Sequence, residues 1–249
     1  MNIGLYQSAA SLSALERWQE AVAQNITSSQ TTGFRKRTVE FSAESTGKLN
    51  LNPGSKLSSD NEMRSVFTRA TNGISFSGGE TEPTHRDLDI AIQGEGFFEL
   101  KTPDGGRAYT RSGQFQMRSD RTIVTAGNVE LLTDSGTPVV MLPGGDPLTV
   151  NPNGTVYQGT TALGHLSIQK FAKPETLVPS AGGLFSATEA SGKSAVEKPD
   201  LLQGYLEQSN VQPLREMVDM VLISRAYEAN QKIISTVDQQ MEKTLQALG

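Results

Sequence analysis

The 249-residue sequence has no cysteine. This excludes a disulfide framework, thiolate catalysis and every cysteine-based zinc site. Histidine is scarce: only His85 and His165 are present. A zinc site would need both, together with carboxylates such as Asp87 or Asp89, and their spacing matches no ligand motif. No run of roughly eighteen apolar residues exists, so no membrane-embedded helix is expected. Basic side chains are outnumbered 22 to 27, for a net charge of −5. That balance argues against nucleic acid as a partner, because phosphate binding needs a basic surface. The segment from Met1 to Leu15 carries no charge. It therefore lacks the basic start of a secretory signal, and if the chain leaves the cytoplasm it is expected to do so without a cleaved signal peptide.

Catalytic signatures are missing too. Gly192-Lys193-Ser194 has the ending of a phosphate loop, but Ala187 stands where that loop needs its first glycine. Gly94-Glu95-Gly96 begins like a dinucleotide fingerprint, and Glu99 occupies the place of the third glycine. A tight turn into a strand accounts for both glycines. No G-x-S-x-G elbow occurs. Asp87 and Asp89 fall on one face of a strand and read as a solvated face flanking buried Leu88 and Ile90. Arg35-Lys36-Arg37 reads as a solvated basic run or as a contact for an acidic neighbour. No catalytic residue, cofactor, metal or small-molecule substrate is expected.

What is present is helical periodicity at both ends. Leu5, Ala9, Leu12, Leu15, Trp18, Val22 and Ile26 recur at about 3.5 residues per step, the spacing of a coiled coil. Gly33 is a plausible stop. Near the other end, Pro213 suits a first helical position. Leu214, Met217, Val218, Val221, Leu222, Ala226, Ala229, Ile233, Val237 and Met241 follow without an interrupting Pro or Gly. A helix to Leu248 would be roughly 54 Å long. Leu222 and Ile233 are placed on the seam between the two helices. Trp18, Met220, Ile223, Tyr227 and Ile234 lie partly off the stripes, where only a neighbouring copy would cover them.

Between the ends, residues 42–80 are rich in Ser, Thr, Asn and Gly and read as a loop or extended linker. Residues 88–204 read as short strands between turns such as Pro103-Asp104-Gly105-Gly106 and Asn151-Pro152-Asn153-Gly154. The expected strands are Leu88 to Ile92, Gly96 to Leu100, Ala108 to Arg111, Thr122 to Thr125, Val129 to Leu132, Thr155 to Tyr157 and Leu163 to Phe171. The expected fold class is α+β: a discontinuous, coiled-coil-like hairpin of N- and C-terminal helices with an inserted all-β domain. Its boundaries are 1–35 plus 205–249 for the helical polymerisation domain, 36–80 for the linker and 81–204 for the β domain.

Three segments carry a resemblance. The first is Ala23-Gln24-Asn25-Ile26 with Thr31-Thr32-Gly33-Phe34-Arg35. The second is Asp87 to Phe98, together with Tyr109-Thr110-Arg111-Ser112-Gly113-Gln114-Phe115 and Ile123 to Gly127. The third is Gly204-Tyr205-Leu206-Glu207-Gln208-Ser209-Asn210-Val211, continuing through Glu216 to Met220, Arg225 to Asn230 and Thr236 to Asp238. In this order they resemble the bacterial flagellar hook and basal-body rod family. Arg121 stands where that family often places Gly. The chain length is similar to that of the rod branch, and Met1 to Gln7 looks more like the proximal rod type than the distal type.

The resemblance implies a structural, non-enzymatic axial subunit of the rod, located in the periplasmic span of the flagellar basal body. Its implied partners are copies of itself, homologous rod and hook axial proteins, and the flagellar export apparatus. The implied assembly interface comprises Leu5, Leu12, Leu15, Trp18, Val22, Asn25, Ile26, Gly33, Phe34, Asn210, Met217, Val218, Val221, Leu222, Arg225, Tyr227, Asn230, Ile233, Val237 and Met241. The terminal helices are expected to be wholly or partly disordered until they dock. The alternatives are a hook-type or other exported filament subunit, and a β-domain carbohydrate-binding protein or enzyme.

Overall fold

The structure, a computed structural model, describes residues 3–48 and 64–248. It is α+β. Two helices, α1 (Ile3–Thr27) and α2 (Pro213–Leu248), flank the strands in chain order. The strands are β1 (Arg37–Lys48), β2 (Arg64–Ile74), β3 (Thr81–Pro83), β4 (Ile90–Gln93), β5 (Phe97–Lys101), β6 (Arg107–Thr110), β7 (Phe115–Met117), β8 (Ile123–Thr125) and β9 (Glu130–Leu131). They continue as β10 (Leu148–Val150), β11 (Thr155–Gln158), β12 (Thr161–His165), β13 (Ile168–Phe171), β14 (Val178–Pro179), β15 (Leu184–Ser186), β16 (Lys193–Ala195), β17 (Asp200–Gln203) and β18 (Tyr205–Glu207).

The chain divides into two compact units. One holds residues 1–27, 37–73 and 212–249; the other holds 28–36 and 74–211. In the first, α1 packs on both α2 and β1. Burial along α2 follows Glu216, Met220, Ile223, Tyr227, Asn230, Ile234 and Val237, alternating steps of four and three. Ile223 is wholly buried. This is not the seam read from the sequence. Met217, Val218, Val221, Leu222 and Ile233, expected inside, are about half exposed, and Met220, Ile223, Tyr227 and Ile234, expected outside, turn inward. The reason is that α2 has two apolar stripes at helical spacing. Periodicity identifies a stripe without saying which of two faces the partner helix.

Residues 36–80 also differ from the expected linker. β1 and β2 pair as a two-stranded ribbon. Trp18 meets Phe41 edge-on at 5.6 Å between ring centroids, and Arg17 Nη1 donates to the Ala70 carbonyl at 2.9 Å. Contact with α1 buries Ala70 within this polar stretch, while Phe41 stays 46% exposed. Residues 49–63 of the expected linker lie outside the described residues.

The second unit is built on antiparallel sheets. Its largest runs in the order β14-β15-β6-β5-β9-β8-β7, and β13 bridges β5 to β16. β10-β11-β12 forms a smaller sheet, and β17 pairs with β4 and β18 with β3. Ile90, Phe98, Leu100, Phe115, Ile123, Leu131 and Leu166 form its main core, and Phe97, Tyr109, Phe171, Leu177 and Phe185 form an aromatic cluster beside it. The strand expected over Leu163 to Phe171 is two strands, β12 and β13. The break follows Gly164, whose φ of +141° leaves the ordinary strand region. Residues 28–35 and 205–211, expected with the helices, cluster with the β unit. There the Gly33 N–H donates to the Glu207 carbonyl at 2.8 Å, and β18 pairs with β3.

Candidate functional site

Two features stand out, one in each unit. In the helical unit, Leu214, Met217, Val218, Val221 and Leu222 lie at i, i+3 and i+4 spacings on the uncovered side of α2. Leu214 is 78% exposed and the other four are about half exposed. Ile233 and Met241 extend the apolar exposure toward the C-terminal end. A run of this kind marks an interaction surface. Fully burying a side chain of this size is worth about 1.5–3 kcal/mol.

The remaining expected interface residues divide by environment. Leu15 and Val22 are buried, Leu12, Trp18, Ile26, Phe34, Tyr227, Asn230 and Val237 are half-buried, and Arg225 is exposed. The side chain of Leu5 lies outside the described residues. Asn25 is engaged within the chain. Its Nδ2 donates to Glu216 Oε2 at 2.8 Å and to the Arg37 carbonyl at 2.9 Å, and its Oδ1 accepts from the Arg37 N–H at 2.8 Å. Asn210 does the same in the other unit. Its Oδ1 accepts from the Lys36 N–H at 2.7 Å, and its Nδ2 donates to the carbonyls of Ser75 and Ser77. Gly33 is buried with φ +68°, and a Cβ there would lie 2.3 Å from the Ser112 backbone nitrogen. Glycine is required twice over, by conformation and by space.

The second feature is an ion triad in the β unit, made by one residue from each resembling segment. Glu207 Oε1 receives Arg35 Nη1 at 2.8 Å, and its Oε2 receives Arg111 Nε at 2.5 Å. All three side chains are at least nine-tenths buried. The Gly79 N–H also donates to Glu207. Arg111 donates onward to the carbonyls of Ile92, Gly94 and Gly96. Gly94 and Gly96, both at positive φ, thus turn the chain so that its carbonyls ring a guanidinium. Burial pushes the Glu207 carboxyl up, but the charges of Arg111 and Arg35, with the hydrogen bonds from Arg111 and Gly79, outweigh it and hold it below the usual carboxylate range. Burial pulls Arg35 below its ordinary value against the attraction of Glu207. The basic run at Arg35 is therefore not solvated at its first residue.

The other sequence candidates resolve structurally. Asp89 is wholly buried, not part of a solvated face, and its nearest charge is Arg86 at 3.9 Å. Lys193 of the phosphate-loop-like triplet binds Glu99 at 2.7 Å and lies over the Tyr109 ring. Glu99 also accepts from Ser167 and pairs with Arg107. Among the described residues, no group of three or more His, Asp and Glu side chains is placed to hold a metal, and no helix is long and apolar enough to cross a membrane.

Comparison with known proteins agrees with the three segments. Residues 202–247 match the family described as Flagellar basal body rod FlgEFG protein C-terminal, and residues 91–158 match Flagellar hook protein FlgE/F/G D1 domain. The flagellar basal-body rod protein FlgG of Borreliella burgdorferi is 30% identical, over 94% of each chain. FlgG of Agrobacterium fabrum is 32% identical over 93% of this chain and 94% of its own. The rod protein FlgF of Caulobacter vibrioides is 28% identical over 100% of this chain and 99% of its own.

Proposed function

This chain belongs to the flagellar basal-body rod protein family and is a structural protein of the flagellum, not an enzyme, and we propose that it polymerises as an axial rod subunit through its terminal helices. The observation that carries the proposal is the apolar face of α2, which α1 leaves uncovered. Neighbouring copies stacked by a helical operation would bury it in a heterologous contact that does not close. α1 and α2 then act as a coiled-coil-like hairpin. Their alternating burial at steps of three and four supports this reading. The helical unit serves as the polymerisation domain.

Within the family, we propose the proximal rod type. Relatives of the FlgF type align over 100% of this chain and 99% of their own length, whereas those of the FlgG type align over 93–97% of it. Homologous axial proteins are the neighbours above and below. The chain reaches the periplasmic span through the flagellar export apparatus. Purified basal bodies test this directly. The chain is expected in the rod fraction, and its recovery only in the cytoplasm or the free periplasm overturns the reading.

A further inference from the structure

With no cysteine in the chain, methionine is its one sulfur-bearing residue and the natural target of peroxides. Met1 and Met63 lie outside the described residues, and the other five methionines differ in access. Met141 is half-buried against the β core, and Met220 is half-buried on the inward side of α2. Met117, Met217 and Met241 are 52%, 52% and 43% exposed. Of these three, Met217 alone sits inside a continuous exposed apolar run. Leu214 precedes it by three residues, Val218 adjoins it and Val221 follows it by four, so they share one side of the helix. Met241 is flanked by Gln240, Glu242 and Lys243, and Met117 lies in the β unit between Gln116 and Arg118.

We propose that Met217 is an oxidation site whose state decides whether a copy of the chain can join the rod. This rests on the reading of the outer face of α2 as the contact between copies. The Met217 sulfur attacks a peroxide. An S–O bond forms, the O–O bond breaks, and the second oxygen leaves as water. Sulfur gives up two electrons and the peroxide takes them. The sulfoxide is polar, and burying it among Leu214, Val218 and Val221 leaves its oxygen without a donor. The same change at Met241 falls in a polar stretch and alters little. Timing follows from geometry. A free copy exposes the Met217 sulfur, whereas docking covers it. Peroxide therefore strikes copies before they dock and spares those already in place. Sulfoxide reductases reverse the change, so a rejected copy can regain its apolar face.

Hydrogen peroxide is the probe. The purified full-length chain is oxidised and its peptides are read by mass spectrometry. Sulfoxide is expected at Met117, Met217 and Met241 ahead of Met141 and Met220. In parallel, cells are given peroxide while rods assemble, and newly made chain is measured in purified basal bodies. Incorporation of the natural chain should fall by about tenfold or more. Met217→Leu should keep its incorporation, while Met117→Leu and Met241→Leu stay sensitive. Met217→Gln, polar without any oxidant, should incorporate poorly in untreated cells. Oxidation of Met217 no faster than that of Met220 overturns the proposal. So does equal peroxide sensitivity in the natural chain and Met217→Leu, or Met217 sulfoxide as abundant in incorporated copies as in free ones. Absence of the untreated chain from basal bodies is a different result: it overturns the reading of α2 and this proposal with it.

Discussion

Glu207 shows how much of the β unit depends on one side chain. It joins Arg35 to Arg111 and caps the Gly79 N–H, and it has almost no access to water. Removing one partner of a buried ion pair leaves the other uncompensated and costs about 3–5 kcal/mol. Glu207→Gln should therefore lower the stability of the chain to urea at neutral pH by about that amount. The pH dependence follows from the same geometry. Glu207 and Glu99 both titrate below their ordinary value of 4.5 in the folded chain. Their stabilisation is present above that value and is lost as pH falls through the lower folded values. Urea midpoints measured downward from pH 5 should drop, and the drop should be shallower in Glu207→Gln. A smaller effect is expected at Arg121, where φ is +68°. Arg121→Gly removes a strain of roughly 1–2 kcal/mol, partly offset by the greater freedom of glycine in the unfolded chain. A rise in thermal midpoint of a few degrees at most is the expected outcome. The resemblance singled out Arg121 as a departure from glycine, and the left-handed backbone explains why glycine is common there. The triad itself was not legible. Its members are spread from residue 35 to residue 207, and the sequence shows their charges but not which of them meet.

At the scale of elements, the two helices were legible because Pro213 and an unbroken apolar period mark α2, and the 3.5-residue step marks α1. The direction that α2 faces was not. Adjacent positions Leu222 and Ile223 are both large and apolar, yet the first is half exposed and the second fully buried. Only contact with α1 distinguishes them. This yields a paired prediction. Ile223→Asp places an uncompensated charge between the helices and should lose several kcal/mol, seen as an earlier loss of helical circular dichroism on heating. Leu222→Asp should change folding by no more than about 0.5 kcal/mol while abolishing incorporation into basal bodies and swimming. The β1–β2 ribbon was missed for a different reason. Its Ser- and Thr-rich strands carry little apolar alternation of their own, and they are held by contact with α1, as between Trp18 and Phe41. The β unit was more legible, since glycine-rich turns between short apolar runs gave half of its strands. β3, β7, β10 and β14 to β18 were not singled out; all but the four-residue β17 have two or three residues, too few to show an alternation.

At the scale of the whole molecule, the chain combines a self-sufficient β core with a pair of helices whose apolar surface exceeds what one partner covers. α2 has 36 residues and α1 has 25, so α2 has roughly three turns more than a helix of α1's length can line. Ordering each residue costs about 1–2 kcal/mol of backbone entropy. The free chain is thus expected to lose its terminal helices to limited trypsin, with cuts at Arg215, Arg225 or Lys232, while the β unit survives. The same bonds should resist in assembled rods. The central claim is narrower: the outer face of α2 is buried between subunits. The absence of cysteine makes it directly measurable, because a single Leu222→Cys gives the chain one thiol. Maleimide labelling of that thiol in the free chain and in intact purified basal bodies is the decisive comparison. The account predicts rapid labelling of the free chain and protection in basal bodies, with labelling restored on dissociation in acid followed by neutralisation in denaturant. Equal labelling in intact basal bodies and in the free chain would contradict it.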